Sequence, residues 1–116
     1  MKFTVKEEGG STIVTLDGRL DLATGGNLKE EVKKLCDEGA KRIHLNLQKV
    51  DFINSSGLGA LVSVMKQVRF KKVRLTLSNL AAHVLEIFDI TQLSHVFEIF
   101  DTEQEALEST GKAAVN

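Results

Sequence analysis

The sequence contains no proline, tryptophan or tyrosine, and it has a single cysteine, Cys36. One cysteine cannot form an internal disulfide, so the fold cannot depend on such a bond. Without Trp or Tyr, neither an aromatic hot spot nor a platform for stacked nucleic-acid bases is expected. No apolar run approaches the roughly 18 residues that a membrane-spanning helix needs, and the first residues lack the apolar segment of a signal peptide. We therefore expect a cytoplasmic protein.

The sequence also lacks an excess of charge of either sign, since it has 15 Lys and Arg residues and 16 Asp and Glu residues, for a net charge of −1. Such a balance gives no general attraction to nucleic acid or to an anionic membrane. A small basic cluster at residues 66–74 is interpreted as a solvated helix end. His44, His83 and His95 share no metal-ligand spacing, so we expect neither a metal site nor a cofactor.

What is present is a regular alternation of two apolar patterns along 116 residues, 42% of them apolar, which suits one domain. Apolar residues alternate with polar ones in segments typical of strands, near residues 3–6, 12–16, 43–47, 73–78 and 96–100. Between them apolar residues recur at helical spacing, and the best stripe is Leu58, Leu61, Val62, Met65 and Val68. Thr102 and Glu105 match a capping box before a last helix. Residues 20–26 are predicted to form a loop that leads into the first helix, and Ser78 or Asn79 to cap the third helix. Cys36 is interpreted as a core residue of the first helix.

The predicted order of elements is β-β-α-β-α-β-α-β-α, a single α/β domain with a mixed sheet. An N-terminal hairpin precedes strands that alternate with helices and therefore pair in parallel. Since the best strands are apolar on one face only, we expect the helices mainly on that face and the other face partly open. The domain is predicted to span residues 1–110, followed by a flexible C-terminal tail at residues 111–116.

The most informative segment is residues 51–61, Asp-Phe-Ile-Asn-Ser-Ser-Gly-Leu-Gly-Ala-Leu. A strand is predicted to end near Leu47, followed by a loop at residues 48–55 and a helix capped by Asn54 or Ser55. A phosphate on a serine at such a helix start would be stabilised by the helix dipole and the free N–H groups. Periodicity alone favours a simpler interpretation, in which the serines only cap the helix. The Gly-Lys-Ser/Thr of a Walker loop is missing.

The same segment resembles the signature of STAS domains, in which Asp-Ser-Ser/Thr-Gly-Leu-Gly follows a strand. Residues 16–22 resemble the family's Gly-(Glu/Arg)-Leu-Asp element, residues 43–52 its central strand, and residues 85–90 its third helix. These matches occur in order and cover residues 3–109. The resemblance therefore implies a STAS-like fold over nearly the whole chain.

The resemblance also implies a site and its partners. In the anti-sigma factor antagonists of this family, the serine after the Asp is phosphorylated by an anti-sigma factor that is also a kinase, and a phosphatase removes the phosphate. That serine corresponds to Ser55. The implied partner-binding residues are Asp21, Thr24, Asn54, Ser55, Ser56, Gly57, Leu58 and Gly59; for Asp21 a role in the turn is the alternative. Asn54 stands where the family usually has Asp, a departure that removes a charge and bears on the kinase and its rate.

The function expected from this resemblance is that of a bacterial anti-sigma factor antagonist that regulates transcription by partner switching. Such a protein is the substrate of a serine kinase and not itself an enzyme. Two alternatives remain: a regulatory STAS module of a transporter or sensory complex, and a small nucleotide-binding or hydrolytic enzyme that uses the Ser55 segment. Self-association through the exposed sheet face also stays open.

Overall fold

A computed structural model describes residues 1–109, and every structural statement below concerns these residues. They form a mixed five-stranded sheet in the order β1-β2-β3-β4-β5. The first pair is antiparallel and the other three pairs are parallel, as predicted. The strands are β1 (Lys2–Glu8), β2 (Ser11–Leu20), β3 (Arg42–Ile53), β4 (Arg74–Ser78) and β5 (Glu98–Phe100).

Four helices alternate with these strands in the predicted order. They are α1 (Leu22–Asp37), α2 (Ser55–Phe70), α3 (Ala82–Ile90) and α4 (Glu103–Glu108), with a short 3₁₀ turn at Leu93–His95. No helix within residues 1–109 is long and apolar enough to cross a membrane. The tail predicted at residues 111–116 lies outside the described residues.

The main core lies between one face of the sheet and α1, α2 and α3, which confirms that the helices cover mainly one face. All of its central side chains are fully buried: Val14, Leu45 and Leu77 from the strands, and Leu28, Val32, Leu61, Val64, Val84 and Phe88 from the helices. Most of these are the apolar positions of the alternating strands and of the helical stripes. Val64 is the exception, since the predicted stripe of α2 contains Val62, which is only partly buried. The core thus follows directly from the sequence pattern.

The opposite face is polar but more covered than its sequence suggests. The imidazole of His44 lies between the hydroxyls of Thr76 and Ser78, each at 2.7 Å. Over this face lies α4: the guanidinium of Arg42 donates to the carbonyl of Ala106 at 3.3 Å, and Ala106 is fully buried. Burial lowers the pKa of His44 to about 4, so the ring is neutral at pH 7 and bridges two hydroxyls.

Three predicted boundaries are wrong. β3 continues to Ile53 instead of ending near Leu47, because its last residues pair with β2, Phe52 opposite Arg19 and Ile53 opposite Leu20. The loop predicted at residues 48–55 is therefore reduced to Asn54 between strand and helix.

The other two errors concern helix starts. α1 begins at Leu22, although its first turns contain two glycines and were interpreted as loop. α3 is preceded by Ala81, with no side-chain cap, and not by Ser78 or Asn79. The hydroxyl of Ser78 is used elsewhere, because it is buried beside His44.

Candidate functional site

Two helices start side by side at the carboxyl edge of the sheet. Leu20, the last residue of β2, pairs with Ile53, the last residue of β3. One residue further on, the N–H of Asn54 donates to the carbonyl of Leu20 at 3.3 Å. The first turns of α1 and α2 therefore lie next to each other, at the edge where sites on parallel sheets commonly form.

At the start of α2, Asn54 is the N-cap. Its side-chain oxygen accepts a hydrogen bond from the N–H of Gly57 at 2.9 Å, and its backbone is extended. Ser55 and Ser56 are thus the first two helical residues, and both are exposed. Because the cap uses the Asn54 side chain, the fold does not need either serine hydroxyl for this purpose.

Two glycines of α2 that look alike in the sequence differ in three dimensions. Gly57 is buried, and a Cβ added there would lie 2.6 Å from the carbonyl carbon of Leu20 and closer still to its oxygen. Gly59 is exposed, and a Cβ added there would meet nothing within 4 Å. The fold therefore explains Gly57, which lies below the predicted partner surface, but it does not explain Gly59. Leu58 between them is partly buried against the core.

The start of α1 is held by a capping box between Asp21 and Thr24. The Asp21 carboxylate accepts from the N–H of Thr24 at 3.1 Å, and the Thr24 hydroxyl accepts from the N–H of Asp21 at 2.9 Å. The same hydroxyl donates to the carbonyl of Arg19 at 2.7 Å. The hydrogen bonds from Thr24, with a smaller contribution from the charge of Arg19, lower the pKa of Asp21. Asp21 thus has a local structural role at the edge where partner contact was predicted.

Two features of this edge were missed by the sequence interpretation. The side chain of Leu22, the first residue of α1, is 77% exposed. The guanidinium of Arg19 stacks on the ring of Phe52, with its central carbon 3.8 Å from the ring centroid. The spacing of Asp21 and Thr24 was the available signal for Leu22, because a capping box places the next residue at the first helical position. The Arg19–Phe52 pair depends on the strand extension and had no local signal.

Arg74 and Cys36, which were also singled out in the sequence, make contacts that belong to the fold itself. Arg74, from the basic cluster, forms a salt bridge with Glu98 at 2.7 Å. Cys36 is only partly buried, and burial raises the pKa of its thiol. Within residues 1–109, no three His, Cys, Asp or Glu side chains are grouped so that they could hold a metal ion. What the edge offers chemically is an exposed hydroxyl at a helix start.

Comparison with known proteins finds related sequences. The family model for the STAS domain matches residues 2–106. BtrV of Bordetella bronchiseptica, provisionally assigned as an anti-sigma factor antagonist, is 32% identical over 106 residues, 91% of each chain. The anti-sigma-B factor antagonist of Bacillus subtilis is 30% identical over 92 residues, 79% of this chain and 84% of the relative.

The solved structures extend the comparison to the fold. The anti-sigma factor antagonist SpoIIAA from Bacillus superposes with a TM-score of 0.70 at 23% identity in its unphosphorylated form, covering 92% of this chain and 96% of SpoIIAA. Its phosphorylated form gives the same TM-score of 0.70 and the same identity of 23%, with 92% of this chain and 97% of SpoIIAA covered. The fold described above is thus one that has been observed with and without a phosphate.

Proposed function

The chain belongs to the STAS domain family, among the anti-sigma factor antagonists, and from this premise we propose that phosphorylation of Ser55 controls its binding to an anti-sigma factor. In this proposal the unmodified protein binds the anti-sigma factor and releases a sigma factor. The anti-sigma factor acts as a serine kinase on Ser55, and a phosphatase restores the unmodified form. The protein is a kinase substrate in the cytoplasm, not an enzyme, and residues 1–110 are its functional unit.

The observation that carries this proposal is the position of the Ser55 hydroxyl. It lies exposed at the first position of α2, while the cap hydrogen bond comes from Asn54. A phosphate there adds about −1.5 to −2 charges beside the positive end of a helix dipole, which stabilises an anion. Modification at Ser55 therefore leaves the start of α2 intact. That SpoIIAA is known in both forms supports this tolerance.

The switch follows from the cost of burying charge. A partner that covers unmodified Ser55 would have to remove water from a dianion after phosphorylation, and without a compensating partner group this costs several kcal/mol. Each 1.4 kcal/mol changes affinity tenfold, and a change from 1:99 to 99:1 requires about 5.5 kcal/mol. Desolvation of one uncompensated phosphate is of the required size.

The proposed contact surface lies around this hydroxyl. It comprises Asp21 and Thr24 at the start of α1, and Asn54, Ser55, Ser56, Leu58 and Gly59 at the start of α2, with Gly57 beneath it holding the helix against β2. Asn54 preserves the cap without adding a negative charge beside the phosphate. We therefore expect Asn54→Asp to leave the fold intact and to change mainly the rate of phosphorylation.

Phosphorylation by a cognate kinase is the direct test. We expect incubation with ATP and the purified anti-sigma factor of the same organism to place one phosphate on Ser55, located by mass spectrometry. Ser55→Ala should block the phosphate and preserve binding, whereas Ser55→Glu should weaken binding at least about tenfold. Ser63→Glu is the matched control, because Ser63 is an exposed serine of the same helix about two turns later, outside the proposed contact surface. It should bind like the wild type.

Two results would contradict the proposal. One is unchanged affinity of Ser55→Glu for the anti-sigma factor. The other is ATP turnover by the protein alone, which would instead support the enzyme alternative.

A further inference from the structure

Leu22 is exposed although nothing in the fold requires an apolar side chain at its position. Its side chain is 77% exposed at the first position of α1. The buried residues of that helix are Gly25, Leu28, Val32 and Leu35, so the core contacts of α1 begin after Leu22. Leaving a leucine in water forgoes the free energy that burial would supply.

The backbone that carries Leu22 is nevertheless held in place. The residue before it, Asp21, is locked to Thr24 by two reciprocal hydrogen bonds of 3.1 and 2.9 Å, and the Thr24 hydroxyl is tied to β2 through the Arg19 carbonyl at 2.7 Å. The backbone of the first turn is therefore ordered before any partner arrives. Binding at such a turn orders the rotamers of the leucine but needs little further ordering of the backbone.

Leu22 also lies beside the proposed switch. It occupies the first position of α1, and Ser55 occupies the first position of α2. The two helix starts are joined by the hydrogen bond from the Asn54 N–H to the Leu20 carbonyl at 3.3 Å. A protein that covers Ser55 therefore reaches Leu22 as part of the same contact surface.

The surface of α1 next to Leu22 has open space at Gly26, although this residue is half-buried. Gly26 lies four residues later on the same side of α1, and a Cβ added there would meet nothing within 4 Å. A glycine inside a helix is less favourable than an alanine, and neither a positive φ nor a close internal neighbour accounts for Gly26. Bare backbone at this point leaves room for a partner's atoms at the base of the leucine.

We propose that Leu22 is the apolar anchor of the partner interface, received by an apolar pocket of the anti-sigma factor beside its Ser55 contact. This inference rests on the proposed function. It divides the surface into two parts: Leu22 contributes affinity that phosphorylation does not alter, and Ser55 carries the charge that switches binding. Asp21 then acts as a positioning residue that holds Leu22 in place.

Binding of single variants to the purified anti-sigma factor tests this division. We expect Leu22→Ala to weaken binding by about 10- to 100-fold, the ratio that corresponds to burial of one leucine side chain. Ile90→Ala and Phe70→Ala are matched controls, because these side chains are 72% and 86% exposed at the far ends of α3 and α2. Both should bind like the wild type.

A second variant separates binding from folding. Gly26→Ala should raise the midpoint of thermal unfolding, since alanine favours a helix, and should still weaken binding severalfold, because its methyl group occupies the space left for the partner. Unchanged affinity in both Leu22→Ala and Gly26→Ala, with Ser55→Glu still weakened, would overturn the anchor and leave the switch standing.

Three further outcomes would each overturn one or both proposals. Weak binding by Leu22→Ala together with full binding by Ser55→Glu would overturn the switch and leave the anchor. If the wild type does not bind the anti-sigma factor, both proposals are wrong. A change in the oligomeric state of Leu22→Ala, with unchanged affinity for the anti-sigma factor, would assign Leu22 to contact between two copies of this chain and overturn the anchor.

Discussion

The starts of α1 and α2 are two versions of one local structure with different residues at equivalent positions. In both, an Asp or Asn side chain caps the helix directly after a strand, Asp21 in α1 and Asn54 in α2. The first helical residue is Leu22 in one and Ser55 in the other. The comparison indicates that one architecture at one edge presents an apolar side chain and a hydroxyl next to each other.

The third helical position explains how the two starts differ mechanically. In α1 it is Thr24, whose side chain bonds back to the backbone of Asp21. In α2 it is Gly57, which has no side chain and lies against the Leu20 carbonyl. Both starts have a side-chain cap; the start of α1 adds a second side-chain hydrogen bond, and the start of α2 adds close backbone contact. Substitutions that remove a hydrogen bond should therefore destabilise the protein less than one that obstructs the backbone contact.

The largest expected effect is that of Gly57→Ala. Its Cβ would lie 2.6 Å from the carbonyl carbon of Leu20, and because both obstructing atoms are backbone, no flexible side chain can move aside. We expect the free energy of unfolding to fall by about 3 kcal/mol or more, or folding to fail. Denaturant unfolding followed by circular dichroism measures this change.

The control for this prediction lies two residues away. Gly59→Ala introduces the same methyl group into the same helix, where it meets nothing within 4 Å. Its expected effect is a gain in stability of up to about 1 kcal/mol. Similar losses in both variants would mean that helix context, and not the contact with Leu20, determines the cost.

A smaller effect is expected from removing the cap of α2. Asn54→Ala deletes the oxygen that accepts from the Gly57 N–H at 2.9 Å, and loss of such a cap typically costs about 1 kcal/mol. Ser55→Ala, which leaves the cap in place, should change stability by less than about 0.5 kcal/mol. If Asn54→Ala unfolds at the same denaturant concentration as the wild type, the cap contributes nothing. If Ser55→Ala is destabilised as much as Asn54→Ala, the Ser55 hydroxyl supports the helix start as strongly as the cap does.

The features that depend on local spacing could be predicted from the sequence. Alternation along β3 and the stripe from Leu58 to Val68 identified a strand, a helix and the core face, because these patterns depend on local spacing. The serine pair at the helix start was identified from its segment alone. Partner contacts for the surrounding residues came from family resemblance, and they remain predictions.

What could not be predicted depends on contacts between distant segments. The end of β3 is predicted from the sequence to be a loop, but pairing with β2 keeps it extended. Gly57 and Gly59 could not be told apart, because the difference is the presence of Leu20 at one of them. The polar face of the sheet was expected to be partly open, since nothing local indicates that α4 covers His44.

The smallest expected effect is a difference in pH response between the two caps. Hydrogen bonds from Thr24 lower the pKa of Asp21 below its ordinary value in the folded state, so the unfolded chain takes up this proton first as the pH falls. The stabilisation from the Asp21 carboxylate is therefore complete above about pH 5, and is lost progressively as the pH falls below the unfolded pKa of about 3.9 and through the lower folded value. Asn54 carries no titrating group, so the stability that the α2 cap contributes should not depend on pH.

An NMR titration from pH 6 to 2 measures this difference. The amide proton of Thr24 should move with the Asp21 carboxylate while that of Gly57 stays nearly constant, and Asp21→Asn should abolish the Thr24 transition. If the Gly57 amide followed the same curve as Thr24, the two helix starts would be coupled through the Leu20–Asn54 hydrogen bond, and their independent support would have to be abandoned.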